Sequence, residues 1–589
     1  MLRWFLAVFA LMGPVAGLAA GLAAGLAAGL AAGPATAQPG ARVPTEGPFR
    51  ALVVFVRFQD DTSTEGCAPA WQQWPDPDAL PAVAPHLLAA DPSPPFADSS
   101  LTAYFHRQSQ GRFVLYGDVF PRVVVTRHPE ATYGIRDARS AQALGRLSRE
   151  VLDAIDPEVD FRRYDANRDG YVDHVFVILR RNRQPISWSG YSILGTTGTF
   201  DRTYDGLRVD PDLSGSYSRY GWSGNIFPQR NLVRLMAHEF GHDLWTPARL
   251  GGAHIQPIRG RFGVPEGHTD RIGYALMVGA GGGTDIRGDL TISAWERDLL
   301  GWIACPPLTA DTTVVLHDLY TTGACRTVAL PVPAGQPPRT LYLANRQRIG
   351  FFDRLRVNEC TAPPNAHGLK TTGLLVTVVE HREGGRGRMA VLPADGTLAL
   401  SLEAAAYDGD LFGPGSAVQL TPWTRPAIGG YAAYPPGFSL GPGPWPALVH
   451  IRPAGDRGLA VDYVADYRRR PIIREDAWIG PETAGQVIPG AVQVENGRTL
   501  DVDLGAGRML TLAAPLRVAD GRAVVGGPGQ TLVLERGAEV GGAGTLVVRA
   551  GTTLRLGAGQ LLIARHGGHV QLEPGAVLVY EGVARVRAR

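Results

Sequence analysis

From about residue 487 to the end, the sequence breaks into short alternating runs parted by glycine-rich turns. They are Thr499 to Leu504, Met509 to Leu512, Thr531 to Leu534, Thr545 to Val548, Thr553 to Leu556, Val570 to Leu572 and Val577 to Tyr580. Alternation of apolar and polar residues over such short stretches turns one face of each run inward as a strand. Turns this frequent leave no length for a helix. Two arrangements suit the pattern, a small parallel β-helix or a meander of hairpins, and the irregular steps between runs leave both open. A tail of this kind is more often structural or adhesive than catalytic, so the chemistry has to be sought upstream.

Composition narrows the rest. At 589 residues, with 45% hydrophobic and 19% charged side chains, the chain has apolar surface enough for about four structural units. A net charge of +2 from 57 basic and 55 acidic residues gives no long-range field, so neither nucleic acid nor an anionic membrane is indicated as a partner. The 74 glycines and 46 prolines favour turns and strands over long helices.

Residues 1–37 carry Arg3, an apolar run from Trp4 to Met12, four GLAA units from Gly17 to Ala32, and the small-x-small triplet Ala35-Thr36-Ala37. That is the pattern of a signal peptide. An uncleaved anchor is the alternative reading, since the run is long enough to span a bilayer. Cleavage predicts a secreted or extracytoplasmic protein, in the periplasm or at the cell surface, with no stable membrane insertion afterwards. The four cysteines Cys67, Cys305, Cys325 and Cys360 allow two disulfides in three connectivities. Proximity alone favours Cys305 with Cys325.

Arg50 to Phe58 reads as a buried strand and opens the first folded region, 48–305. Leu101 to Gln108 has helical character, and Gly111 to Val125 suggests a hairpin around Gly117 and Pro121. Residues 140–155 show helical spacing in Leu144, Leu147, Val151, Leu152 and Ile155, and Val172 to Leu179 is a strand. The region is therefore mixed α and β. Residues 306–480, with short Pro-interrupted strands such as Thr340 to Leu343 and Gly373 to Val379, read as a β-sandwich-like module. Residues 487–589 form the glycine-rich all-β tail.

The strongest chemical pattern is Leu232-Val233-Arg234-Leu235-Met236-Ala237-His238-Glu239-Phe240-Gly241-His242, an apolar helical run ending in HExxH. One helical turn separates His238 from His242, so both imidazoles can reach one Zn²⁺ while Glu239 lies beside it. A metal-activated water with Glu239 as general base would hydrolyse a peptide bond. A surface helix with two unrelated histidines is the other reading. Downstream, Gly273-Tyr274-Ala275-Leu276-Met277-Val278-Gly279 sets Met277 in a glycine-flanked turn, the form that supplies an apolar floor beneath such a zinc. A core methionine would look the same.

A third pattern is Asp165-Ala166-Asn167-Arg168-Asp169-Gly170-Tyr171-Val172-Asp173. Its oxygen side chains at Asp165, Asn167, Asp169 and Asp173, and the carbonyl of Tyr171, match the first nine positions of a calcium loop. The twelfth position is Phe176, not glutamate, which points to a structural Ca²⁺ followed by a strand, or to a metal-free Asx-rich turn.

Together these motifs resemble the immune inhibitor A-like secreted metallopeptidases. The resemblance rests on ALVVFVRFQD, SLTAYFHRQSQGRFVLYGDV, DANRDGYVDHVFVI, MAHEFGHDLW, GYALMVGAGG and ISAWERDLLGW over 48–305. It continues through YLANRQRIGFFD and TGLLVTVVEH to about 383. It implies an α+β zincin domain of metzincin type, endoproteolysis of protein or peptide substrates, and the family roles for His238, Glu239, His242 and Met277. It does not reach the tail.

The chain departs from the family after the second histidine, where a glycine normally turns the chain towards a third ligand. Here Trp245 stands for the glycine and Ala248 for the ligand. His254, Glu266, His268 and Asp270 lie between helix and Met-turn as candidate replacements. The departure leaves a second functional reading, a catalytically degenerate, peptidase-like surface binding or adhesion protein. A third, a zinc hydrolase of non-protein amides or esters, has no residue in its favour.

Overall fold

The computed structural model describes residues 43–62, 74, 76–89, 98–134, 141–182, 191–192, 202–209, 212–219, 229–250, 255–258, 274–277, 291–353, 356–358, 365–367, 371–382, 387–396, 409–425, 427–428, 443–582 and 587–588. Residues 1–37, Cys67, Cys360 and the candidate ligands His254, Glu266, His268 and Asp270 lie outside them.

The first sheet runs in the order Phe113–Val119, Gly47–Arg57, Val175–Asn182, Asp212–Arg219, Tyr191–Ser192, parallel except for the last pair. The strand Gly47–Arg57 is covered on both faces, which is why its sequence is nearly unbroken in apolar residues. Phe49, Ala51, Val53 and Phe55 join one core, with Leu101, Tyr104 and Phe105 of the helix Leu101–Gln108. Leu52, Val54 and Val56 join another, with Leu147, Val151, Leu152 and Ile155 of the helix Ala141–Ile155.

The hairpin expected around Gly117 and Pro121 does not form. Phe113–Val119 and Val124–Val125 both pair in parallel with Gly47–Arg57, the first with Gly47 to Val53 and the second with Val56 and Arg57. The long strand offers more edge than the first segment covers, so the chain continues along it.

A second sheet contains Gly387–Val391, Gly373–His381, Arg339–Arg346 and Arg326–Leu330 as antiparallel neighbours, with Gln256–Pro257 added in parallel at one edge. A smaller antiparallel sheet of Ala447–Pro453, Leu459–Val464 and Thr312–Leu316 shares its core, Leu341, Leu343, Val376 and Val378 meeting Leu316, Leu448, Leu459 and Val461. The two sheets thus enclose one core, as a sandwich does. The opposite face of the larger sheet, through Tyr342, Ala344, Val379 and Met389, enters the core beneath the first sheet. The boundary near 305 is therefore crossed by a shared sheet and a shared core. Cys305 and Cys325 are disulfide-bonded, with Cα atoms 4.8 Å apart.

The tail is a parallel β-solenoid of about four turns. Its strands stack in three sheets, and every pairing is parallel, which excludes the meander of hairpins. One interior file is Leu510, Leu532, Leu554 and Leu578, each in register with the next. At one corner, Gly507, Gly529 and Gly551 each donate to the carbonyl one coil on, ending at Gly575. All four have φ between 71° and 90°, a conformation open to glycine at little cost. The solenoid begins with Ile472–Ile473 and Ala477–Ile479, inside the stretch assigned to the sandwich-like module. Its core runs on into Trp423, Ala447 and Tyr467. Among the described residues, no helix is long and apolar enough to cross a membrane.

Candidate metal centre

The HExxH run lies in the helix Gln229–Leu250. Leu232, Val233, Met236, Ala237, Phe240 and Leu244 are buried at the helical spacing of one apolar face. Phe240 fixes that face against Phe49, Phe105 and Phe113, at ring-centroid distances of 5.5, 5.3 and 6.0 Å. His238 and His242 share another face, their rings 5.2 Å apart and nearly perpendicular.

Ligand atoms of His238, Glu239 and His242 lie within 4.8 Å of one another. Among the described residues this is the one group of three or more His, Cys, Asp or Glu so gathered. Glu239 Oε2 is 4.0 Å from His242 Nε2. His238 Nδ1 sits 2.6 Å from the carbonyl oxygen of Leu276. A carbonyl only accepts, so Nδ1 carries a proton, and in the neutral ring the lone pair is then on Nε2, the tautomer a metal-bound histidine needs. Two imidazoles with an adjacent carboxylate are the donor chemistry of zinc.

Met277 lies under the helix, fully buried. A Cβ added to Gly241 would come within 2.2 Å of its Sδ, so the side chain fits because position 241 has none. Glu296, also fully buried, holds the turn: its Oε1 accepts from Met277 N–H at 2.6 Å and its Oε2 from Leu276 N–H at 3.1 Å. Burial pushes the Glu296 pKa up, against the lowering effect of these bonds and those from Ser293.

The segment after His242 does not take the glycine turn that the resemblance would imply. The backbone stays helical through Ala248 to Leu250, so no turn redirects it towards the cluster. Trp245 is fully buried, and its indole N–H donates to the Glu296 carbonyl at 3.1 Å.

The acidic loop stands between the 3-10 helix Phe161–Tyr164 and the strand Val175–Asn182. Asp165 and Asn167 side chains accept from the Asp169 N–H, Asp169 from Tyr171 N–H, and Asp173 from Ala166 N–H at 2.7 Å. Burial, with Asp165 and Asp169 nearby, pushes the Asp173 carboxyl up to about 7. Phe176, the twelfth position, is buried in the strand and faces Phe240 across 6.2 Å.

Sequence reasoning missed His174, buried between the two motifs. Its Nδ1 lies 3.0 Å from Asp243 Oδ2, and its ring packs on Phe176 and Phe240 at 4.1 and 4.9 Å. It thereby ties the acidic loop's strand to the HExxH helix. No local pattern marks such a pair. Glu296 was missed too, although Ser293-Ala294-Trp295-Glu296 is a capping-box pattern and the box does form.

No known family model and no curated protein sequence matches this chain.

Proposed function

We propose that the protein is a secreted zinc-dependent endopeptidase of zincin fold, similar to the immune inhibitor A-like metallopeptidases. The observation that carries this reading is the His238, Glu239 and His242 cluster with His238 Nδ1 bonded to Leu276 O above a buried Met277. His238 and His242 would hold the metal. Bound there, zinc would supply Lewis acidity to a water and to the scissile carbonyl. Glu239 takes the proton of the attacking water on a carboxylate oxygen and delivers it to the leaving amine nitrogen. The near-complete burial of Glu239 keeps bulk water from competing for that proton.

Glu239→Gln should leave fold and zinc content unchanged and lower hydrolysis of a denatured protein substrate by roughly 10²-fold or more. Undiminished hydrolysis in that variant excludes the mechanism.

The helix that continues past Trp245 favours a second reading, a peptidase-like surface binding protein without catalysis. Zinc content after exhaustive dialysis separates the two. About one ion per chain supports the peptidase, and none supports the binding protein.

The same proposal gives the acidic loop a structural Ca²⁺ held by Asp165, Asn167, Asp169, Asp173 and the Tyr171 carbonyl. Calcium added to stripped protein should raise the melting temperature even when His238 and His242 are both replaced. An unchanged melting temperature removes the calcium assignment.

A further inference from the structure

We propose that Glu296 is a positioning residue for the metal centre, acting on His238 through a single peptide group; the inference rests on the zinc reading above. The Leu276 carbonyl and the Met277 N–H belong to the same peptide. Its oxygen accepts from His238 Nδ1 at 2.6 Å, and its N–H donates to Glu296 Oε1 at 2.6 Å. The order in space is therefore carboxylate, peptide, imidazole, with Nε2 of His238 at the far end of the relay.

Hydrogen bonds in such a chain polarise one another. Donation of the Met277 N–H to Glu296 Oε1 makes the carbonyl at the other end of that peptide a stronger acceptor. That fixes the ring of His238 and raises the basicity of its metal-binding nitrogen. Histidine ligands are commonly oriented by a direct carboxylate or by a backbone carbonyl. Here the two devices are in series.

The other contacts of Glu296 hold it to this task. Oε2 accepts from Leu276 N–H at 3.1 Å and from Ser293 N–H at 2.8 Å, so the carboxylate cannot rotate away from Met277. Three N–H donors are directed at its two oxygens, which accept all of them. The capping box requires only the exchange between Ser293 and Glu296. The bonds to Leu276 and Met277 lie outside it, and they reach back across about twenty residues to the turn that carries Met277.

The test is zinc affinity, measured by competition with a chelator, in the full-length chain and in Glu296→Gln and Ser293→Ala. Both variants disturb the cap, but only the first replaces the carboxyl group that accepts from the Leu276 and Met277 N–H groups. Glu296→Gln should lose roughly 10- to 100-fold in zinc affinity, while Ser293→Ala stays near the wild-type value. Equal affinity in Glu296→Gln and wild type overturns the inference, as does an equal loss in both variants.

If Glu296→Gln does not fold, the wild-type protein labelled with ¹⁵N at methionine and serine decides. On zinc addition the Met277 amide proton should move well beyond that of Ser293, and a stationary Met277 signal overturns the relay. Failure of the wild-type chain to bind zinc would instead overturn the peptidase reading and take this inference with it.

Discussion

The solenoid and the His-Glu-His centre are both buried in apolar surroundings, yet they are assembled on different scales. Leu532 meets Leu510 and Leu554, one coil away on either side, and each neighbouring file repeats the pattern. The centre instead gathers Phe49, Leu276, Met277 and Glu296 around a helix spanning 229–250. In a solenoid, stability is close to a sum of nearest-neighbour terms. A site built from a few distant contacts has no neighbouring copy to compensate for a loss, and its members couple.

That contrast can be broken by substitution, and the largest effect belongs to the solenoid interior. Leu532→Ala should cost about 2–5 kcal/mol of stability in chemical denaturation, while leaving zinc retention unchanged. Loss of zinc in this variant would show that the solenoid and the centre unfold as one unit, and the contrast would fail.

Gly241→Ala tests the other side. The added Cβ meets Met277 Sδ, and relieving that overlap should cost about 1–3 kcal/mol. Because the methionine is displaced from beneath the helix, zinc should also be lost more readily to a chelator. A variant with wild-type stability and zinc retention would mean that Met277 does not need the space Gly241 leaves.

The smallest effect concerns the sheet between the two regions. Burial would raise the pKa of Glu380, but Arg382 and Arg339 outweigh it and hold the carboxyl below its usual range. A group depressed in the folded state contributes stability above its unfolded pKa and loses it as pH falls through the folded value. Wild-type stability should therefore decline more steeply than that of Glu380→Gln below about pH 4.5. Parallel profiles for the two proteins would remove the ion pair from the account of acid stability.

What could be read in advance follows the same division. Met509–Leu512, Thr531–Leu534, Thr545–Val548, Thr553–Leu556 and Val577–Tyr580 form strands with the limits their alternation marks. The third sheet went unread, because Val492–Val494, Leu516–Val518, Ala538–Val540 and Leu562–Ala564 are three residues long. Alternation over three positions is a weak strand signal, and Val570 to Leu572 is the one run that short picked out from the sequence. The helical placement of His238 and His242 was legible for the reason the four-residue runs were: one turn of helix lies within one stretch of sequence.

The sequence by itself determined the HExxH helix, the strand Gly47–Arg57 and the inward faces of the solenoid. Each depends on side chains within a few positions of one another, where periodicity fixes direction. Only the tertiary structure decided that Phe113–Val119 joins Gly47–Arg57 in parallel, that the tail coils as a solenoid, and that His174 meets Asp243. It also decided that Glu296 reaches the peptide beneath His238 and that the helix runs on past Trp245. Those outcomes depend on which distant surfaces bury one another and which buried N–H finds which carboxylate. Such pairings are chosen by burial and hydrogen-bond satisfaction across the whole fold, and no local spacing records them.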